Sequence, residues 1–288
     1  MVTRTDAVPG SDPPGSDPSA SDPSDSGMRI RTDPDHGGRW TSLRVHGREW
    51  LWHRDEPRRA GIRPGDGFAD AGGLEECLPT VRGRPDHGDA WSRPWQRGDG
   101  QESVECPQFR LTRRIRTSGP TATVDYTLAA DPGYRFLWAA HALLDLSPSA
   151  RIHIRDATPT RLYPDEGAHW IPGRWPLLQG HALDRLQPED GTAVGAVVAT
   201  TRVVVVDGQD ELQLELDAHE QPGSVALWRN LNGFPQPTPY RSVGVEPMLG
   251  RVFDLAAAGP DDAAEVPAGG EVRWRLTITG RRRPRPRI

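Results

Sequence analysis

Three ionisable residues lie in surroundings where their chemistry could be put to use. His87 sits in DHGDAWSRPW, residues 86–95, between Asp86 and Asp89 and just ahead of Trp91, with Arg93 alongside. Such a grouping suits a sugar site, a metal site or a polar surface loop. His141 sits in RFLWAAHALLDLS, an otherwise apolar run. There, burial of an unpartnered ring would cost about 1–3 kcal/mol. Glu246 sits in YRSVGVEPMLG, directly before a proline. On strand alternation it shares a face with Gly244 and Ser242, opposite Val243 and Val245. A carboxylate beside such small residues leaves room for a ligand. Histidine and glutamate are side chains that move protons near neutral pH. His87 with Asp86 and Asp89, joined by the acids and histidine of PDEGAH at 164–169, also offers metal-ligand types, although no spacing here matches a zinc pattern.

The elements that must position these residues read as β-strands. ELQLELDA sets Leu212, Leu214 and Leu216 against Glu211, Gln213 and Glu215. VRWRLTIT sets Val272, Trp274, Leu276 and Ile278 against Arg273, Arg275, Thr277 and Thr279. TATVDYTLAA alternates through Ala122, Val124, Tyr126 and Leu128. Each is the period-two pattern of a half-buried antiparallel strand. AVGAVVA and RVVVVDG are more continuously apolar, which predicts strands buried on both faces. Helical periodicity is scarce, and Gly and Pro recur at short intervals, as an all-β sandwich requires.

The chain has 288 residues and is 35% hydrophobic, enough for one large sandwich. Its net charge of -5 points away from a nucleic-acid partner, and all its basic residues are arginine. Cys77 and Cys106 form no CxxC pair and read as two thiols in a reducing compartment. No apolar run approaches a membrane span and no signal-peptide core is present, so the expectation is a soluble cytoplasmic protein, monomer or homodimer. Residues 1–27, with SDP three times at five-residue spacing, predict a disordered tail; residues 281–288, RRRPRPRI, predict a solvated basic tail; one domain fills 28–280.

Taken in order, the segments resemble the aldose 1-epimerase (galactose mutarotase-like) superfamily through most of residues 36–255. GGRWTSLRVHGREWLWH is similar to that family's opening hairpin. AGGLEECLPTV resembles its GGWPELFPN segment, with Glu76 and Pro79 on the Glu and Pro. His87-Gly88 resembles its first active-site HG, WAAHALLDLSP places His141 on its second histidine, and VALWRNLNGFP followed by VGVEPMLG places Glu246 on its catalytic glutamate.

The resemblance implies a β-supersandwich of large twisted antiparallel sheets with a concave sugar-binding face. It implies interconversion of α and β anomers of an aldose, with Glu246 as base at the anomeric hydroxyl, His141 as acid at the ring oxygen and His87 steadying charge there. Such chemistry takes a small-molecule sugar and needs no metal or organic cofactor. Glu76, Trp91, Arg93, Trp228 and Arg241 are the expected substrate contacts, Trp91 and Trp228 as stacking platforms alongside Trp95, Trp170 and Trp175. Arg93 and Arg241 would take the phosphate if the substrate were a hexose 6-phosphate. Three departures stand out: Leu74 replaces the family's Trp, Asp86 and Asp89 flank the first histidine where neutral residues are commoner, and Thr201 stands where many members carry an aspartate. Asp190 and Asp217 lie nearest to that missing acid. A non-catalytic sugar-binding module on the same fold is the principal rival; a glycan-cleaving enzyme would need a second carboxylate partner for Glu246.

Overall fold

The computed structural model describes residues 26–164 and 169–284. The tail expected over 1–27 lies outside the described residues except for its last two positions, as does most of the PDEGAH segment. Two large sheets make up the structure, ten-stranded and eight-stranded, and every strand pairing within them is antiparallel. The middle of the ten-stranded sheet runs Leu74–Cys77, Trp138–Leu144, Tyr240–Leu249, Gly223–Phe234 and Thr192–Val198, so the segments carrying His141 and Glu246 are neighbours. The eight-stranded sheet is centred on Asp210–Asp217, Glu271–Arg282, Thr121–Ala130 and Phe109–Ser118. Among the described residues no helix is long and apolar enough to cross a membrane.

The sheets pack face to face through the residues that alternation selects. Val272, Trp274, Leu276 and Ile278, with Leu212, Leu214, Leu216 and Ala122, Val124, Tyr126 and Leu128, are all buried in one core with Trp138 and Leu227 from the other sheet. The outer face of the eight-stranded sheet is only partly covered. This corrects the reading of RVVVVDG: Arg202–Asp207 buries Val203 and Val205 while Val204 and Val206 are only partly covered. Thr192–Val198, in contrast, is buried on both faces from Val194 onward. Its sheet has the main core on one side and, on the other, a second apolar cluster of Cys77, Ala139, Val197, Ala226, Met248, Tyr163, Val81 and Phe253. The turn at His46-Gly47 that joins Arg39–Val45 to Arg48–Glu49 uses two left-handed residues, φ 51 and φ 80, which suits the twist of a tight hairpin. Cys77 and Cys106 are both free thiols.

The last strand extends further than expected. Arg281 and Arg282 continue Glu271–Arg282 against Glu211 and Asp210, whose carboxylates lie 3.6 and 3.7 Å from their guanidinium groups. Arg283 follows with a 2.8 Å ion pair to Glu211. The basic run therefore begins as a paired strand because the facing strand presents acids; residues 285–288 lie outside the described residues.

A charged network crosses the main core. Arg113 and Glu76 are both 0% exposed and meet at 2.7 Å. The Glu76 carboxylate also accepts from Tyr126 Oη at 2.9 Å and Trp138 Nε1 at 2.7 Å, and Arg113 holds Glu102 at 2.7 Å. Removing one member of a buried pair strands the other without a counter-charge. We expect Arg113→Met to lower the unfolding free energy by about 3–5 kcal/mol in urea titrations, whereas a loss below about 1 kcal/mol would show that Glu76 and Glu102 do not depend on it.

Candidate functional site

The registers on either side of His141 fix its partner. Ala139 pairs with Met248 and Leu143 with Gly244, so His141 stands directly across from Glu246, and directly opposed residues share a face. Their side chains meet with Nε2 and Oε1 at 3.7 Å. Gly244 clears the space: a Cβ there would run into the Glu246 carboxylate and approach Trp228 Cβ at 3.1 Å. The face is the one turned away from the eight-stranded sheet, continuous with the second apolar cluster.

His87 arrives from a loop. Its backbone is left-handed, φ 59, and is tied by its own N–H to Val81 O at 3.2 Å and by Asp89 N–H to Leu78 O at 2.7 Å. Gly88, φ 79, lies so close to the Leu78 carbonyl that a Cβ would collide with it. The loop is thereby pressed onto the end of Leu74–Cys77, and the His87 ring comes edge-on to His141 with centroids 5.0 Å apart. His87, His141, Glu246 and Trp228 line one cavity of about 620 Å³.

Burial dominates the electrostatics of the central pair. It pushes the His141 imidazolium down, against the opposing pull of Glu246 and with a further downward push from His87. It pushes the Glu246 carboxyl up, against the pull of His141 and Arg82. Both groups are thus drawn toward their neutral forms, and Glu246 Oε2 is buried without a hydrogen-bond partner. The arrangement can pass a proton to or from a ligand that enters the cavity.

Four of the expected substrate contacts do not reach the cavity. Glu76 points into the main core because alternation sends Glu75 and Cys77 to the site face and Glu76 to the other. Trp91 is 1% exposed and lies behind the cavity wall, its Nε1–H donating to Asp86 O at 3.0 Å. Arg93 turns to Asp89 at 3.4 Å, and Arg241 donates to Gln187 O at 3.2 Å. Of the tryptophans considered as platforms, Trp228 alone lines the cavity; Trp95 and Trp175 are core. Asp190 is held by Thr192, and Asp217 lies on the outer sheet beside His219. Among the described residues no group of three or more His, Cys, Asp or Glu is placed to hold a metal ion.

In their place the cavity gains residues the sequence reading passed over. Phe68 stacks on His87 with centroids 3.6 Å apart and planes 7° from parallel, and meets His141 edge-on. Asp70 accepts from Tyr240 Oη at 2.5 Å, and Tyr240 stacks on Trp52 and under Arg54. Arg82 lies between Phe253 and Trp228, 4.9 and 5.8 Å from their ring centroids. The signal for the first pair was a lone aromatic in GDGFADAGG, a Gly- and Asp-rich loop with nothing else to bury.

No protein-family model and no curated protein matches the sequence. Solved structures do match the fold. A Synechocystis protein is 15% identical with a TM-score of 0.65, the match covering 90% of this chain and 93% of that one. A candidate aldose 1-epimerase from Escherichia coli is 14% identical with a TM-score of 0.65, covering 89% and 97%. A galactose mutarotase related enzyme from Lactobacillus acidophilus is 12% identical with a TM-score of 0.60, covering 91% and 97%. The chain therefore has the galactose mutarotase-like β-supersandwich fold that the resemblance implied, consistent with the all-β sandwich of the strand pattern.

A carboxyl whose pKa is raised by folding contributes full stability below its unfolded value, and that stability is lost as pH rises through the folded value. We expect Glu246→Gln, which removes the buried charge, to melt higher than the wild type, with a Tm gain larger at about pH 8 than at about pH 4.5. A Tm gap independent of pH in thermal scans would contradict the burial argument.

Proposed function

We propose that the protein is an aldose 1-epimerase-type isomerase that interconverts the α and β anomers of a sugar. The observation that carries this reading is the facing pair His141 and Glu246, 3.7 Å apart, with His87 in the same cavity. Opening a cyclic hemiacetal requires one group to take the anomeric hydroxyl proton and another to protonate the ring oxygen. Glu246 is the base, in its ionised form, and His141 is the acid. His87 contacts the ring oxygen, where charge develops. Trp228 offers an aromatic face to the apolar side of the ring. The fold supports the reading, since proteins sharing it are described as mutarotase-like or as candidate epimerases.

A second reading is favoured by Arg54, Arg58 and Arg82, which line the cavity in place of Arg93 and Arg241. They suit a sugar carrying an anionic group, such as a hexose 6-phosphate. Arg58 is already engaged by Glu56 at 2.9 Å and Arg82 by its ring neighbours, so the neutral aldose comes first.

The test is polarimetry on fresh α-D-glucose and α-D-galactose, with a coupled assay for α-glucose 6-phosphate. Acceleration over the spontaneous rate is expected, falling by about 10²–10⁴-fold in Glu246→Gln. Acceleration confined to the phosphate arm would select the second reading. Sugar binding seen by tryptophan fluorescence without acceleration on any arm would instead identify a binding module.

A further inference from the structure

The contact between Asp86 and His87 lies in the cavity and has no part in the reading above. His87 Nδ1 stands 3.0 Å from Asp86 Oδ1. Burial alone would raise the Asp86 carboxyl, but the hydrogen bond and charge of His87 outweigh it and hold the group below the usual carboxylate range. An ionised carboxylate only accepts, so the hydrogen of this bond belongs to Nδ1. A neutral imidazole has a single N–H. With that hydrogen on Nδ1, Nε2 keeps a lone pair and cannot donate. His87 can therefore donate from Nε2 only as the imidazolium.

The ring is held in this orientation from several sides. Phe68 covers one face, and the His141 ring stands at 84° to it. The left-handed backbone at His87 is anchored to Val81. Asp86 is itself anchored, its carbonyl accepting from Trp91 Nε1. Trp91 is thus part of the support behind the dyad.

We propose that Asp86 is a positioning residue that commits Nδ1 of His87 as a donor, so that His87 meets the ring oxygen of the sugar as a charged imidazolium. This rests on the mutarotase reading. In ring opening, the bond from the anomeric carbon to the ring oxygen breaks and its electron pair goes to that oxygen. The anomeric hydroxyl loses its proton to Glu246 and its electrons form the carbonyl. His141 protonates the ring oxygen, while the His87 imidazolium donates a hydrogen bond and keeps its proton. Closure on the other face reverses each transfer, so nothing is consumed. The charged groups sharing the cavity with His87 are His141 and Glu246 from the sheet, Arg82 and Asp86 from its own loop, and Arg54, Glu56, Arg58 and Asp70 from the segment ahead of Leu74–Cys77.

The test follows the imidazole nitrogens of the ¹⁵N-labelled full chain by NMR and the mutarotation rate of α-D-glucose, from about pH 6 to about pH 9. Neutral His87 is expected as the Nδ1–H tautomer. Asp86→Ala, which removes the acceptor at Nδ1, should release part of that hydrogen to Nε2. Neutral His87 can then donate from Nε2, so kcat in Asp86→Ala should hold over the alkaline range in which the wild type falls, with KM unchanged, and Asp86→Glu should restore the wild-type tautomer and profile. An Nε2–H tautomer in the wild type, or an unchanged tautomer in Asp86→Ala, overturns the proposal. A wild type that accelerates no sugar overturns the mutarotase reading and with it the role at the ring oxygen, while the NMR arm still decides whether Asp86 selects the tautomer.

Discussion

The site depends on one constraint: two neighbouring antiparallel strands in a sheet covered on both faces. Because Ala139 pairs with Met248 and Leu143 with Gly244, His141 and Glu246 have no choice but to face each other. Because both faces of that sheet are covered, the pair meets away from bulk water, and desolvation moves both groups toward neutrality. A slip of one residue would send both side chains into the main core. Register is therefore the first determinant of any chemistry here, ahead of the identity of the loops.

The same alternation sorts two adjacent glutamates into different roles. Glu76 enters the core, where three donors, one each from Arg113, Tyr126 and Trp138, compensate its charge. Glu75 faces the site side, where Arg59 meets it at 2.9 Å, yet burial still pushes its carboxyl up to about 8. Glu75 and Glu246 are alike in being buried, incompletely bonded and pushed up by that burial. Both lie on the face that carries the cavity, which is where natural proteins tolerate such costs.

No acid stands at Thr201, and acids that line the cavity with Glu246 come from another part of the chain. Asp70 and Asp86 line the cavity from segments that precede the His141 strand, and Tyr240 and His87 are their partners. A fold holds strand positions while loops bring their own polar groups.

Strand alternation and motif order marked several core strands and singled out His87, His141 and Glu246, which the fold brings to one cavity. Period-two patterning is local, and it reports which side of a strand meets a core wherever one face is wet, as in Glu271–Arg282. It fails where the second face is decided from afar: Arg202–Asp207 is as apolar as Thr192–Val198, and only the packing partner of each sheet makes one half-exposed and the other buried. Tertiary structure alone decided which polar residues share the cavity. Motif matching placed Glu76, Trp91, Arg93 and Arg241 near the site by order along the chain. Their side chains turn to Arg113, Asp86, Asp89 and Gln187 because those partners lie within hydrogen-bond reach. Phe68, Asp70 and Arg82 enter the cavity from loops whose paths are set by non-local contacts, such as Tyr240 with Asp70, 170 residues apart. Spacing along the chain carries no information about such pairs.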